Sequence, residues 1–389
     1  MYAFYVPNLR FPEFQGEWEK CKLGDYGKVV TGNTPPTKDI ENYENGTYLW
    51  ASPADLSTIK LISETKTKLS SKGFSKTRAL PKGSVLVTCI GSTIGKMGMA
   101  TKEMSTNQQI NSIVVNDNND NEFVYYAIQS AFSRYLSSIA VQAVPIISKS
   151  AFEMLPNKRP CLQEQKKIGK FLSFLDERIA TQNKIIDKLQ SLIKGICNQL
   201  LYANNGISVR LGDILIERSE RTKENNQHEV LSSTVKGIFT QREYFSKDIA
   251  SENNVGYKVV RLHDVVLSPQ NLWMGNINYN NKFDIGIVSP SYKVFSIAVG
   301  YDKEYIAALL KTHRALYNYM LVSEQGASIV RRNLNMEEFE QLTFKLPPIE
   351  RQERIGHTIS KLKLRLAFAY NQKTMYEIQK QYLLRQMFI

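Results

Sequence analysis

From residue 168 onward the apolar positions fall on Ile168, Leu172, Leu175, Ile179, Ile186, Leu189, Ile193, Ile196 and Leu200, with Gln182 filling the one polar slot. Spacings of four and three alternate without a break. A heptad stripe sustained for that distance predicts a long helix packed on another helix rather than a lone surface helix. Adding 187 to each position gives Ile355, Ile359, Leu362, Leu366, Ala369, Lys373, Tyr376, Lys380, Leu383 and Met387, so the stripe occurs twice. At about 1.5 Å per residue, two helices of about 40 residues would each span on the order of 60 Å. They are expected to pair with each other, with Ile168, Leu172, Leu175, Ile179, Ile186, Leu189, Ile355, Ile359, Leu362 and Leu366 at the interface, and to hold two domains apart. Gln182, Lys373 and Lys380 break the stripe. They read either as a loosened seam with snorkelling lysines or as polar positions that fix register.

The same displacement, to within one residue, links other anchors. Lys22-Leu23-Gly24-Asp25 returns as Arg210-Leu211-Gly212-Asp213, and Phe152, Leu155, Pro160, Gln165, Ile168 and Gly169 return as Phe339, Leu342, Pro347, Gln352, Ile355 and Gly356. A repeat of this kind sets the architecture before any single element is placed. Between the anchors the halves diverge: Ile90-Gly91-Ser92-Thr93-Ile94-Gly95-Lys96 finds no close match around Ser268-Pro269-Gln270-Asn271-Leu272-Trp273. Patterning within the first half predicts strands over 85–89 and 110–115, a turn over 91–96 leading to the segment 97–100, and a helix over 122–138; in the second half it predicts strands over 259–268 and 285–296 and a helix over 303–319. Pro160 and Pro347-Pro348 stand where a helix can begin, and Asn204-Asn205-Gly206 where one can end. The expected fold class is therefore α/β: mixed domains over 1–155 and 206–343, with antiparallel coiled-coil helices over 156–205 and 344–389.

Charge adds a partner class. The chain of 389 residues carries a net charge of +13, which favours a polyanion, although an acidic protein surface would satisfy it as well. Residues 1–155 hold 16 basic and 14 acidic side chains and residues 206–343 hold 16 of each, whereas 156–205 hold 9 against 4 and 344–389 hold 9 against 3. The excess sits on the helices, as a solvated face or as a surface for acidic partners or phosphates. Within the first domain Lys60, Lys66, Lys68, Lys72, Lys76, Arg78 and Lys82 are opposed along the chain only by Glu64. Such a patch suits either solvent or several phosphates. No apolar run approaches the roughly 20 residues of a membrane span, and the first ten residues lack the pattern of an export signal, so the cytoplasm is the expected compartment and no membrane partner is expected. Cys21, Cys89, Cys161 and Cys197 are isolated, which predicts reduced thiols and no metal site.

Catalytic signatures are absent from the sequence. Gly91-Ser92-Thr93-Ile94-Gly95-Lys96 has three residues between its glycines and Met97 after its lysine, one residue short of a phosphate-cradling loop and without the hydroxyl that follows it. The proline pairs at 35–36 and 347–348 lack the flanking residues of an adenine methyltransferase motif. A nuclease built from dispersed carboxylates is harder to exclude by inspection, and a protein-binding coiled-coil adaptor is the other alternative.

Leu9-Arg10-Phe11-Pro12-Glu13-Phe14-Gln15-Gly16-Glu17-Trp18, the repeated Leu-Gly-Asp, Gly91 to Lys96, Asn107-Gln108-Gln109, and Leu346-Pro347-Pro348-Ile349-Glu350-Arg351-Gln352 resemble the DNA specificity subunits of type I restriction-modification systems. Arg159-Pro160-Cys161 departs from the Leu-Pro-Pro that usually opens the first spacer of that family. The resemblance implies two target recognition domains reading a split site in double-stranded DNA, and two helical spacers acting as a ruler. It also implies two modification subunits that bind S-adenosylmethionine and methylate adenine, with restriction subunits joining them. This chain would bind no cofactor and perform no catalysis. Amides suit adenine, Arg or Lys suit guanine, and cations suit phosphates. The expected DNA contacts are therefore Lys66, Lys68, Lys72, Lys76, Arg78, Thr93, Lys96, Gln108, Gln109 and Gln142 in the first domain, and Arg218, Arg221, Gln270, Asn271, Trp273, Arg331 and Arg332 in the second, each open to the alternative of a loop residue serving its own backbone.

Overall fold

A computed structural model describes residues 6–56, 59–138, 146–201, 206–244, 253–325 and 332–389. The chain forms two compact units, one from residues 1–184 with 370–389 and one from 185–369. Both heptad stripes are helical, over Leu162–Leu201 and Ile349–Met387. Each starts just after its proline, whose missing N–H costs nothing at a helix entrance. In the first unit Asp176 meets Lys380 at 2.6 Å, and the Arg178 guanidinium lies 5.9 Å from the Tyr376 ring centre, so the segments run antiparallel. In the second, Ile196 and Leu201 share a core with Ile355 and Ile359.

The stripe residues are not equally covered. Ile168, Leu172, Leu175, Ile186, Ile355 and Ile359 are buried; Ile179, Leu189, Leu362 and Leu366 are half-buried. The difference follows the α/β bodies except at Ile186, which is buried outside both of their cores. Ile168, Leu172 and Leu175 join Trp18, Tyr26, Phe123, Leu383 and Met387 in one core, and Ile355 and Ile359 join Leu211, Phe295 and Tyr305 in another. Half-buried members lie outside those cores.

One frame of four strands occurs in each unit. In the first, Gly27–Thr31, Ile110–Val115, Val85–Thr88 and Met97–Ala100 lie side by side, extended by Leu61–Ile62. In the second the order is Leu215–Glu217, Lys293–Ile297, Val265–Leu267 and Ile277–Tyr279. Register matches too: Val85 faces Ile113 and Met99, as Val265 faces Phe295 and Tyr279. Short ribbons close each body, Glu19–Lys22 on Pro156–Arg159 and Ile207–Arg210 on Thr343–Leu346. The α/β bodies thus extend through 159 and 346, past the sequence boundaries of 155 and 343.

Several expected elements are subdivided. The stretch 259–268 is two strands, Lys258–Arg261 and Val265–Leu267, separated by a turn in which His263 has φ 75°. Residues 285–296 likewise split into Ile285–Val288 and Lys293–Ile297. The helix expected over 303–319 breaks into Lys303–Leu309 and His313–Leu321, because the Thr312 hydroxyl accepts the Ala315 N–H and starts a new helix. Periodicity alone cannot see such a restart. Strand Ile110–Val115 and helix Asn121–Ser138 lie where expected.

Lys60 is 7% exposed, and its ammonium is bound by Glu122 at 2.6 Å and by the Tyr126 hydroxyl at 3.0 Å. Asp176 lies 3.7 Å from it, accepts from the Tyr126 hydroxyl and holds Lys380. Lys60 is therefore a structural cation and leaves the basic patch proposed from its neighbours in sequence. Lys380 breaks the apolar seam because it has a carboxylate to meet.

Candidate nucleic-acid interface

In the first unit, four loops meet at one edge. Gly32 donates its N–H to the Ile110 carbonyl and Asn33 donates to Thr106; a Cβ on Gly32 would lie 2.2 Å from the carbonyl oxygens of both Thr106 and Asn107, so the approach requires glycine. The Thr34 hydroxyl donates to the Gln108 side chain. Asn33 accepts the Arg78 N–H at 3.1 Å and donates to the Lys76 carbonyl at 2.8 Å, while the Arg78 guanidinium donates to Thr31. Cys89 donates to the Gln109 carbonyl, bringing in the 91–96 turn. That turn has Gly91 at φ 94° and Gly95 at φ 90°, as its glycines suggest. Lys76, Arg78, Thr93, Lys96, Gln108 and Gln109 thus come together, with Lys76, Arg78, Lys96 and Gln108 exposed.

The cations of the expected patch are less available than their spacing along the chain suggests. Lys72 pairs with Glu41, Lys76 with Asp39 at 2.9 Å, and Lys68 with Glu64 at 2.7 Å. Two of these acids come from a distant segment, so Glu64 is not the only opposing charge. Hydrogen bonding to Lys76 holds the Asp39 carboxyl below its usual pKa, and hydrogen bonding to Glu41 raises the Lys72 ammonium. Lys66 is exposed beside strand Thr67–Leu69.

In the second unit the turn after Val265–Leu267 is the topological counterpart of 91–96, although no sequence match was visible. Ser268 donates to Asn276, a 3₁₀ turn spans Leu272–Met274, and Gly275 has φ 97°. The Arg332 guanidinium lies 5.1 Å from the Trp273 ring centre, and the Arg332 N–H donates to the Gln270 carbonyl at 3.1 Å. Gln270, Asn271, Trp273 and Arg332 are brought together. Arg218 and Arg221 belong to another group: Arg218 lies 3.2 Å from Glu220 and 3.6 Å from Asp264, and Arg221 donates to the Gly256 carbonyl. Hydrogen bonds from Arg261 and Arg218 hold Glu220 below the usual carboxylate range. Gln142 and Arg331 lie outside the described residues.

Sequence inspection missed Asn33, Thr34 and Asn276. Asn276 is buried under its turn, accepting from Ser233 at 2.9 Å, and no motif flags it. Among the described residues no cluster of His, Cys, Asp or Glu could hold a metal, and no helix is long and apolar enough to cross a membrane.

These observations define a class: a duplicated α/β chain in which one four-strand frame carries two differently furnished polar turn clusters and is joined to paired long helices. Residues 15–191 match the family model of the type I restriction modification DNA specificity domain. The resemblance drawn from the motifs is borne out. The chain is 31% identical over 182 residues to the type I restriction enzyme MjaIX specificity subunit of Methanocaldococcus jannaschii, a match covering 44% of this chain and 42% of that protein. It is 29% identical over 187 residues to the HindI specificity subunit of Haemophilus influenzae, covering 45% and 40%. The matches span less than half the length of these relatives. The fold is shared end to end with the S subunit of a type I system from M. genitalium, at TM-score 0.66 and 15% identity over 99% of both chains. A chain solved in work on complex assembly of the type I R-M system shares it at TM-score 0.53 and 14% identity, over 94% of this chain and 96% of that one.

Proposed function

We propose that this chain chooses the DNA sequence for a type I restriction-modification complex, without catalysis of its own. Each unit reads one part of a split duplex target through its turn cluster, and the helices set the gap between the parts. The observation that carries this reading is the repeated frame with divergent turns: Thr93, Lys96, Gln108 and Gln109 on one copy, Gln270, Asn271, Trp273 and Arg332 on the other. A frame of fixed register with variable polar tips suits a protein whose task is to discriminate among similar polymers. Cations at the edges supply sequence-independent attraction to phosphates, and amides and Arg332 supply base discrimination.

The long helices dock two modification subunits, which bind S-adenosylmethionine and transfer the methyl group to adenine; restriction subunits then join. In the first unit a groove of about 660 Å³, lined by Phe171, Phe174, Arg178, Thr181, Tyr376 and Gln379, offers exposed aromatic surface for such contact. The assembly works in the cytoplasm, where the DNA is.

Mapping methylated adenine across genomic DNA, in cells with and without this gene, tests the proposal. A two-part asymmetric motif should disappear on deletion. Unchanged methylation in a strain with intact partner subunits overturns it.

A further inference from the structure

The repeated anchors build the same hydrogen-bonded clasp in both units. Gln165 and Gln352 are 1% and 3% exposed and sit in the first turn of their long helices. Gln165 donates from Nε2 to the Pro160 carbonyl at 3.0 Å and accepts the Asp120 N–H on Oε1 at 3.1 Å. Gln352 donates to the Pro347 carbonyl at 2.9 Å and accepts the Asp302 N–H at 3.2 Å. Each aspartate in turn caps a helix of its α/β body: Asp120 accepts the Phe123 N–H at 2.9 Å, and Asp302 accepts the Tyr305 N–H at 2.7 Å. One turn beyond each glutamine stands a glycine. A Cβ on Gly169 would lie 2.5 Å from Asp120 Oδ1, and one on Gly356 would lie 2.1 Å from Asp302 Oδ1. The capped helix end is therefore pressed directly onto the backbone of the long helix.

The capped helix itself reaches the reading turn in the first unit, and the helix that follows the capped one reaches it in the second. Phe132, on helix Asn121–Ser138, lies where a Cβ on Gly95 would approach it to 2.6 Å. In the second unit Leu316, on helix His313–Leu321, lies 3.7 Å from the corresponding position of Gly275. A short mechanical path thus runs from long helix to glutamine, to aspartate cap, to body helix, to turn in the first unit, and in the second passes through one more helix, from Lys303–Leu309 to His313–Leu321, before the turn.

We infer that Gln165 and Gln352 are positioning residues for sequence choice, each fixing the angle at which its body, and hence its reading turn, stands on the long helix. This rests on the DNA-reading function proposed above. The chemistry explains the residue type. A side-chain amide both donates to the proline carbonyl and accepts the aspartate N–H; an ionised carboxylate keeps the acceptor alone and methionine keeps neither. The geometry explains the glycine, since any side chain there would push the capped helix away.

Gln165→Met and Gln352→Met, which keep the volume, test the inference in the full chain. Hydrogen exchange should quicken about tenfold at Asp120 in the first variant and at Asp302 in the second, the loss expected for one hydrogen bond of about 1.4 kcal/mol, with the other unit unchanged. In cells holding the chain and its modification subunits, Gln165→Met should relax base choice in one half of the methylated motif and admit sites whose gap is one base pair longer or shorter. Gln352→Met should do the same for the other half. Equal loss at both halves, in proportion to loss of folded protein, would mean a merely structural role and overturn the inference. So would unchanged gap tolerance with the Asp120 amide freed. A wild-type chain that directs no two-part methylation overturns the function itself and this inference with it, while the exchange result still reports on the junction.

Discussion

Replacing Asp176 with Asn removes one charge from a buried network while preserving shape. Asp176 is 17% exposed at its side chain; it binds Lys380 at 2.6 Å, accepts from the Tyr126 hydroxyl and lies 3.7 Å from Lys60. Lys60 keeps Glu122 at 2.6 Å, so the group left without a counter-charge is Lys380, only 14% exposed. Orphaning one member of a buried pair costs about 3–5 kcal/mol, and the residual exposure here favours the lower end, about 3 kcal/mol. For a unit of this size that lowers the midpoint of its thermal transition by roughly 6–12 °C. Calorimetry on the full chain resolves the expected change as an earlier transition of the first unit. The decisive control is Lys380→Met, which removes the orphan: the double variant should recover at least about 2 kcal/mol of the Asp176→Asn loss, as expected for directly interacting groups. A loss below about 1 kcal/mol, or additive single effects, would refute the claim that Lys380 departs from the apolar seam in order to meet Asp176.

Burial, opposed by Lys60, raises the Glu122 carboxyl above its ordinary pKa, so its ionisation opposes folding at pH above the shifted value. The penalty vanishes as pH falls to the unfolded value, and Glu122→Gln should remove that pH-dependent component from urea-unfolding curves taken between those limits. Lys311 turns its ammonium inward onto Asn278 at 2.6 Å although the residue is otherwise exposed, and burial, aided by Lys363, pushes its pKa down to about 8. Its cost is greatest below pH 8 and falls toward pH 10.5, so the stability difference between wild type and Lys311→Met should shift in favour of wild type over that range. Arg332→Ala should relax one base position in one half-site by about 1–3 kcal/mol, measured as the ratio of affinities for matched and mismatched duplexes, and an unchanged ratio would remove Arg332 from the reading set. Lys72→Ala, already paired with Glu41, should change the salt dependence of DNA binding less than Lys96→Ala.

The long helices and their register were legible because a heptad repeat is a local signal copied at a fixed displacement. The second turn cluster was not. Leu23 and Leu211 stand 188 apart, Val85 and Val265 180 apart, Ile113 and Phe295 182 apart, and Gln165 and Gln352 187 apart. Changes in loop length slide the frames past each other, so a search at one displacement loses the match between anchors. Asp120 and Asp302 share the interior displacement of 182 and were hidden with it. Burial of Lys60 was invisible for another reason: Glu122, Tyr126 and Asp176 that satisfy it are brought to it only by the fold. The same holds for Lys72 and Lys76, whose carboxylates lie more than thirty residues away in the chain.

Why the frame can persist while the turns diverge follows from what each residue touches. Val85, Val87, Ile113, Val265, Leu267 and Phe295 face the principal cores, and truncating any of them leaves a cavity costing about 2–5 kcal/mol. Thr93, Lys96, Gln108, Gln270 and Asn271 belong to no hydrophobic cluster, so packing places no demand on their identity. Substitutions there fall in the range of about 0.5 kcal/mol typical of surface positions. The backbone beneath them is held instead by a few fixed points: Gly91, Gly95 and Gly275 at positive φ, and Phe132 and Leu316 against the last two. On the function proposed above, target choice can therefore change by many substitutions at the tips without approaching the stability limit. The expected signature is a set of multiply substituted turns that melt within a few degrees of the parent while methylating different sequences; turns that alter target choice only together with the frame would contradict this division of labour.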